Sequence, residues 1–290
     1  MIVVKLSGGL GNQMFQYAFG RALSIRSNTT LFLDTSGLND NIHTHTKRNF
    51  ELTHFLIQAT ISSNSFITYK KNVFNFPVFI LNLFRKKKIL KQIVEQKLHF
   101  DSSIKNTFHN AYFIGYWNSY KYFNDYADFI KKDFSFNLIL DERNKLIAKK
   151  IQTAVSVSLH IRRGDYITNP ETKAYHGTCD LEYYKKAVAI LKEKYENLEF
   201  FVFSDDPEWV KQNFIIDANF IIVSSTENSN GLQDMYLMTL CKHAIIANST
   251  YSWWAAWLIN NDNKTVIAPL KWYNNSIDTA DLFPNSWIRI

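Results

Sequence analysis

Cysteine, glycine and proline are all scarce in this sequence. Two cysteines in 290 residues, Cys179 and Cys241, exclude a disulfide framework and a four-cysteine zinc site. Two thiols in a chain of this size suit a reducing compartment. Nine glycines and five prolines exclude collagen-like or linker-rich architecture. Long apolar runs are missing too. The stretch from Phe74 to Phe84 is broken by Asn75, Pro77 and Asn82 and falls well short of a spanning helix. The opening residues Met1-Ile2-Val3-Val4-Lys5-Leu6 lack the cationic and apolar regions of a secretory signal. A cytoplasmic location is therefore expected.

Apolar residues make up 46% of the chain and charged residues 20%, enough to build a packed core and too apolar for disorder. Basic residues outnumber acidic ones by 33 to 26, for a net charge of +7. Much of the excess sits in Arg85-Lys86-Lys87-Lys88, with Lys91 and Lys97 following and apolar residues interleaved. Two readings fit residues 78–97. They form a solvated helix face, or a basic amphipathic segment that touches an anionic membrane from the inner side. Nucleic acid is not an expected partner, because no zinc-finger, RNP or heptad-plus-basic pattern is present.

The chain opens as strand, loop, helix, strand. Ile2–Leu6 is a β-branched run, Ser7-Gly8-Gly9-Leu10-Gly11 breaks it, and Asn12 is a natural N-cap for an apolar helix through Ile25. Residues 30–34 form the second strand of a βαβ unit, so a parallel sheet is predicted. Helices and loops are expected over 36–110. A second βα series starts at Val155. It comprises strands at 155–161, 198–203, 220–223, 243–247 and 264–268, and helices at 180–196, 232–240 and 251–259. The fold class is thus α/β, with two Rossmann-like domains over 1–150 and 151–290, and a ligand is expected between them.

Four constellations carry chemistry. The first is Gly8-Gly9-Leu10-Gly11-Asn12-Gln13. It lets backbone N–H groups near Gly9 and Asn12 approach an anion at a helix N-terminus, and it equally fits a tight structural turn. The second, His160-Ile161-Arg162-Arg163-Gly164-Asp165-Tyr166, ends a strand. Two arginines bring about ten N–H donors, suited to a pyrophosphate. Strand alternation puts His160 and Arg162 on one side and Arg163 on the other. One arginine would hold phosphate while the other pairs with Asp165, the alternative being a purely structural Arg–Asp pair. The third is Ser204-Asp205-Asp206-Pro207-Glu208-Trp209. Its carboxylates can bind a metal or act as a base, or one of them caps the helix that Pro207 opens. The fourth joins Asp234 to Asn248-Ser249-Thr250-Tyr251-Ser252-Trp253-Trp254. Trp253, Trp254 and Trp257 read as packing residues. Together these strand ends suggest a nucleotide-diphosphate ligand.

In combination and in order, these segments resemble glycosyltransferase family 11, the bacterial and animal α-1,2-fucosyltransferases. The likeness lies in Gly8 to Tyr17, His160 to Tyr166, Ser204-Asp205-Asp206, Asp234 with Leu237-Met238, and Asn248 to Trp254. The resemblance implies a two-domain GT-B fold, with the first domain on the acceptor side and the second binding the donor. It further implies inverting transfer of L-fucose from GDP-L-fucose to the 2-hydroxyl of a terminal β-galactoside, with no metal or other cofactor. By the same resemblance Arg162 binds the donor phosphates with Arg163 in support. His160 and Asp234 lie by the guanosine, Ser249 and Thr250 meet phosphate, and Asn12 lies near the pyrophosphate. No residue stands out as the general base; Asp165, Glu171 and His176 are the ones to test.

Overall fold

The computed structural model describes residues 1–38, 48–62, 90–106, 108–225 and 230–290. The side chain of Asp165 lies outside that description. Two compact units emerge. One holds Met1–Ser135 with Ala280–Leu282, the other Phe136–Thr279 with Phe283–Ile290. The division counts the helix Glu142–Thr153 with the second unit rather than the first.

The first unit contains strands β1 (Ile2–Lys5), β2 (Leu31–Asp34), β3 (Thr60–Ser62), β4 (Lys91–Val94) and β5 (Ala111–Ile114), and helices α1 (Leu10–Arg26) and α2 (Ala127–Asp133). All strand pairs are parallel, in the order β3-β2-β1-β5-β4. Ile2, Val3 and Val4 of β1 are fully buried, as expected for the middle strand of a sheet covered on both faces. Helix α1 packs Met14, Phe15, Ala18, Phe19 and Ala22 into the core. Phe19 stacks on Trp117 at 4.2 Å and meets Phe113 and Tyr122 edge-on. The unit ends far along the chain. Asp281 accepts hydrogen bonds from the Phe100 N–H (3.1 Å) and, through its carbonyl, from Ser119 (2.6 Å), and it pairs with Lys121.

Two features of this unit differ from expectation. Residues 36–110 contribute two strands, β3 and β4, where only helices and loops were predicted. Both are short edge strands with no clear alternation, so their pattern is too weak to read. The cap of α1 also differs. The helix starts at Leu10 with Gly9 as N-cap and no capping side chain, so Asn12 sits within the first turn. Gly8, in the left-handed region at φ +75°, turns the chain early enough for that. Residues 78–89 of the basic segment lie outside the described residues. Its end, Lys91–Val94, is strand rather than helix. Among the described residues, no helix is long and apolar enough to cross a membrane.

The second unit contains α3 (Glu142–Thr153), β6 (Val155–Ile161), α4 (Gly164–Thr168), α5 (Pro170–His176), α6 (Leu181–Lys194), β7 (Leu198–Ser204), α7 (Pro207–Asn213), β8 (Phe220–Ile222), α8 (Gly231–Thr239), β9 (His243–Ile245), α9 (Thr250–Leu258), β10 (Val266–Ala268) and β11 (Ile288–Arg289). Local chemistry sets the boundaries. Asp180 caps α6 by accepting the Tyr183 N–H, and Asp141 caps α3 by accepting the Asn144 N–H, each at 2.8 Å. The six strands are parallel, in the order β11-β10-β9-β6-β7-β8. Read from β8, that is the 3-2-1-4-5-6 order of a dinucleotide-binding sheet. Trp253 and Trp254 are fully buried and Trp257 nearly so, in mutual ring contact. They are core residues, as their helical spacing suggested. Both units therefore have the Rossmann-like plan expected of GT-B domains.

Candidate active site

In an open α/β sheet, ligands bind beyond the carboxyl ends of the strands, where the strand order reverses. In the second unit that point lies between β6 and β9. Arg162 and Arg163 follow β6, and Asn248, Ser249 and Thr250 follow β9. The neighbouring strand β7 delivers Ser204, Asp205 and Asp206.

Both arginines are held by the turn after β7. Arg162 Nη1 pairs with Asp205 Oδ2 at 2.8 Å, and Arg163 Nε with Asp206 Oδ2 at 3.1 Å. The Arg163 backbone N–H donates to Asp205 Oδ1 at 2.8 Å. The Arg163 guanidinium lies 3.8 Å above the Trp209 ring, a cation–π contact that adds to the ion pair. Each pair is partly exposed, so its value lies in orientation more than in stability. Gly164 completes the arrangement: a Cβ at this position would clash with Asp205 Oδ2. Asp205 is therefore a brace for Arg162 and no helix cap. The cap of α7 is Asp206, which accepts the Trp209 N–H at 3.1 Å. These aspartates, some forty residues along the chain, are the partners seen for the two arginines. The expected partner Asp165 sits on α4 with its side chain outside the description.

His160 is a buried, neutral ring. Burial, then the positive charge of Arg162, lower its pKa to about 3. It lies 5.3 Å from the Tyr251 ring. Burial, then the negative charge of Asp234, push the Tyr251 phenol up, and its hydroxyl donates to the Gly231 carbonyl. Asp234 lies in the first turn of α8 and accepts a bond from Ser224 Oγ, which in turn accepts the Ser204 N–H at 3.0 Å. Burial raises the Asp234 pKa, against the pull of that hydroxyl and of Arg143. The fold thus brings His160 and Asp234 together around Tyr251. Tyr251 belongs to the fourth constellation, whereas Ser224 and Arg143 are members of this cluster that carry no signal of their own in the sequence.

Asn248 reaches the strand end but turns inward. Its amide donates to the carbonyls of His176 (3.0 Å), Gly177 (3.2 Å) and Trp272 (3.3 Å), fixing the segment after α5. Ser249 is the N-cap of α9, yet its side chain makes no capping bond. With Thr250 it stands at a helix N-terminus, where the dipole favours an anion.

In the first unit the order reverses between β1 and β5, and the glycine loop with Gly9 and Asn12 follows β1. Two glutamines shape it. Gln13, fully buried, donates to the carbonyls of Gly8 (3.0 Å) and Asn49 (2.8 Å) and accepts the Glu51 N–H (3.0 Å). Gln16, also fully buried, accepts the Ser7 N–H and donates to Ser7 Oγ and the Gly115 carbonyl, all at 3.0 Å. The loop is therefore a braced structural turn whichever ligand it meets. The Arg48 guanidinium lies 3.9 Å from where a Gly9 side chain would begin. Arg48 lies in residues 36–110, which carry no motif. Among the described residues, no three His, Cys, Asp or Glu side chains group as metal ligands.

The pattern of glycosyl transferase family 11 matches residues 1–290. Among similar proteins, the alpha-1,2-colitosyltransferase of Escherichia coli is 38% identical over all of this chain and 99% of its own. The O-antigen biosynthesis glycosyltransferase WbnK of Escherichia coli is 36% identical over 98% and 99%. The mouse galactoside 2-alpha-L-fucosyltransferase Sec1 is 24% identical over 90% of this chain and 65% of its own. Among solved structures, the fucosyltransferase NodZ from Bradyrhizobium superimposes with a TM-score of 0.46 at 13% identity, covering 88% of this chain and 92% of that one. With a match that runs from the first residue to the last and full-length relatives above one-third identity, this chain belongs to glycosyl transferase family 11, a glycosyltransferase that uses a nucleotide sugar.

Proposed function

We propose that the protein transfers L-fucose from GDP-L-fucose to the 2-hydroxyl of a terminal β-galactoside, with inversion at C1. The observation that carries this reading is the 1,2 linkage shared by the names of a full-length bacterial relative and a mammalian one. The geometry of the second sheet agrees with a diphosphate donor. Arg162 faces the developing negative charge on the leaving β-phosphate, and Arg163 supports it. The N-terminus of α9, with Ser249 and Thr250, meets the other phosphate, while His160 and Asp234 line the guanosine end. Asp205 and Gly164 hold Arg162 in place, and Asn248 fixes the segment after α5. The acceptor O2–C1 bond forms as the C1–phosphate bond breaks through an oxocarbenium-like state. The acceptor proton leaves to a carboxylate or to the departing phosphate. Fixed N–H donors aimed at the leaving group supply charge stabilisation. The first unit takes the acceptor.

A second reading comes from the 38% identical relative, named an alpha-1,2-colitosyltransferase: this protein transfers colitose, from a GDP donor like that of the first reading. Colitose is L-fucose without the 3-hydroxyl, so both donors share the diphosphate site. The deciding experiment is GDP release from GDP-fucose and from GDP-colitose, with and without a panel of β-galactosides, in EDTA. Release from GDP-fucose that depends on a galactoside supports the first reading. A preference for GDP-colitose supports the second. GDP binding without release from either donor leaves a non-catalytic nucleotide-sugar module.

A further inference from the structure

Three strand ends meet at the point of reversal in the first sheet, those of β1, β5 and β4. Glu95, directly after β4, donates its N–H to the Ile114 carbonyl at 2.8 Å. Its carboxylate accepts the N–H groups of Tyr116 (2.7 Å) and Trp117 (3.1 Å). Gly115 lies so close to Glu95 that a Cβ there would clash with the glutamate side chain. Trp117 has φ +55° and is 1% exposed, stacked on Phe19. A bulky residue in that region is strained by about 1–3 kcal/mol and persists only where its surroundings impose it. Gln16 ties the Gly115 carbonyl to Ser7 of the glycine loop. All of this holds one ring at the surface: Tyr116 is 39% exposed.

We propose that the Glu95–Tyr116 ledge is a saccharide subsite for the acceptor, a proposal that rests on the transferase reading above. A carboxylate only accepts hydrogen bonds, so it selects a ligand rich in O–H donors and repels phosphate. An exposed tyrosine ring offers an apolar face with a polar tip. Together they suit a neutral pyranose, whose C–H face lies on the ring while a hydroxyl donates to Glu95. Burial raises the Glu95 pKa, and the two N–H bonds oppose that rise.

The test is an oligosaccharide array carrying galactose-terminated and other glycans. It is probed with the wild-type protein in the presence of GDP and with Tyr116→Ala, Tyr116→Phe and Glu95→Gln, each checked for an unchanged melting curve. The expected result is capture of a set of glycans by the wild type and by Tyr116→Phe. Signals should fall at least tenfold for Tyr116→Ala and Glu95→Gln. Equal capture by those two variants overturns the subsite, as does a wild type that binds GDP yet captures no glycan. GDP affinity of the wild type is read separately by calorimetry. Its absence would strike the donor reading, while the array would still report on the ledge.

Discussion

The two units share a parallel, doubly wound plan and furnish their strand ends in opposite ways. In the second unit the reversal point is charged. Arg162 and Arg163 are braced by Asp205 and Asp206, with a helix N-terminus alongside. In the first, the amides of Gln13 and Gln16 clasp a glycine loop, with Arg48 beside Gly9, Glu51 bonded to the Leu10 backbone, and Glu95 across β5. One architecture thus presents one edge where paired arginines and aspartates meet a helix N-terminus, and another where glutamine amides brace a turn. Strand order locates a site, and the side chains at the strand ends choose its ligand.

The comparison breaks most visibly at Arg162. Arg162→Ala removes a fixed charge from the leaving phosphate and should lower kcat/KM for glycosyl transfer by about 100- to 1,000-fold, with little change in melting temperature. Steady-state kinetics and a thermal melt on the same preparation check both halves. In the first unit the balance reverses. Gln16→Leu leaves the Ser7 N–H and the Gly115 carbonyl unmet at a buried position. It should cost about 2 kcal/mol or more of stability, a fall of roughly 4–8 °C in Tm, measured by calorimetry. The smallest effect sharpens the charged edge. Asp206→Ala loses a helix cap worth about 1 kcal/mol and should lower Tm by a few degrees, with a smaller loss of turnover than Arg162→Ala because it frees only the supporting Arg163. Asp205→Ala should instead reduce turnover more than Tm, because its carboxylate braces Arg162. If the two variants exchange behaviour, the assignment of brace and cap is reversed.

Much of the second unit is legible in sequence because its punctuation is local. Asp180 and Asp141 cap helices that they immediately precede, and Pro207 opens its helix at the first turn. The strands there are long enough to alternate or to run apolar. The first unit is harder to read. Strands β3 and β4 have three and four residues and lie at sheet edges, where few side chains are buried to betray them. The cap of α1 misleads because Asn12 is a good capping residue in the wrong place, once Gly8 and Gly9 have turned the chain. The site was legible as a set of strand ends and illegible as a set of pairs. Arg162 and Arg163 find their carboxylates after the next strand of the sheet, a neighbourhood that only strand order creates. Gln13 and Gln16 show the converse: residues inside a functional motif whose side chains are spent on holding the backbone.

The return of residues 280–282 to the first unit has a consequence for how the chain is made. During synthesis, residues 1–135 emerge before 280–282 and would ordinarily fold first. Yet Asp281, which receives the Phe100 N–H, the Ser119 hydroxyl and the Lys121 ammonium, is made only after strands β6 to β10 of the second unit. The second unit in turn takes its edge strand β11 from Ile288–Arg289. A truncation ahead of residue 280 would therefore leave two incomplete domains instead of one.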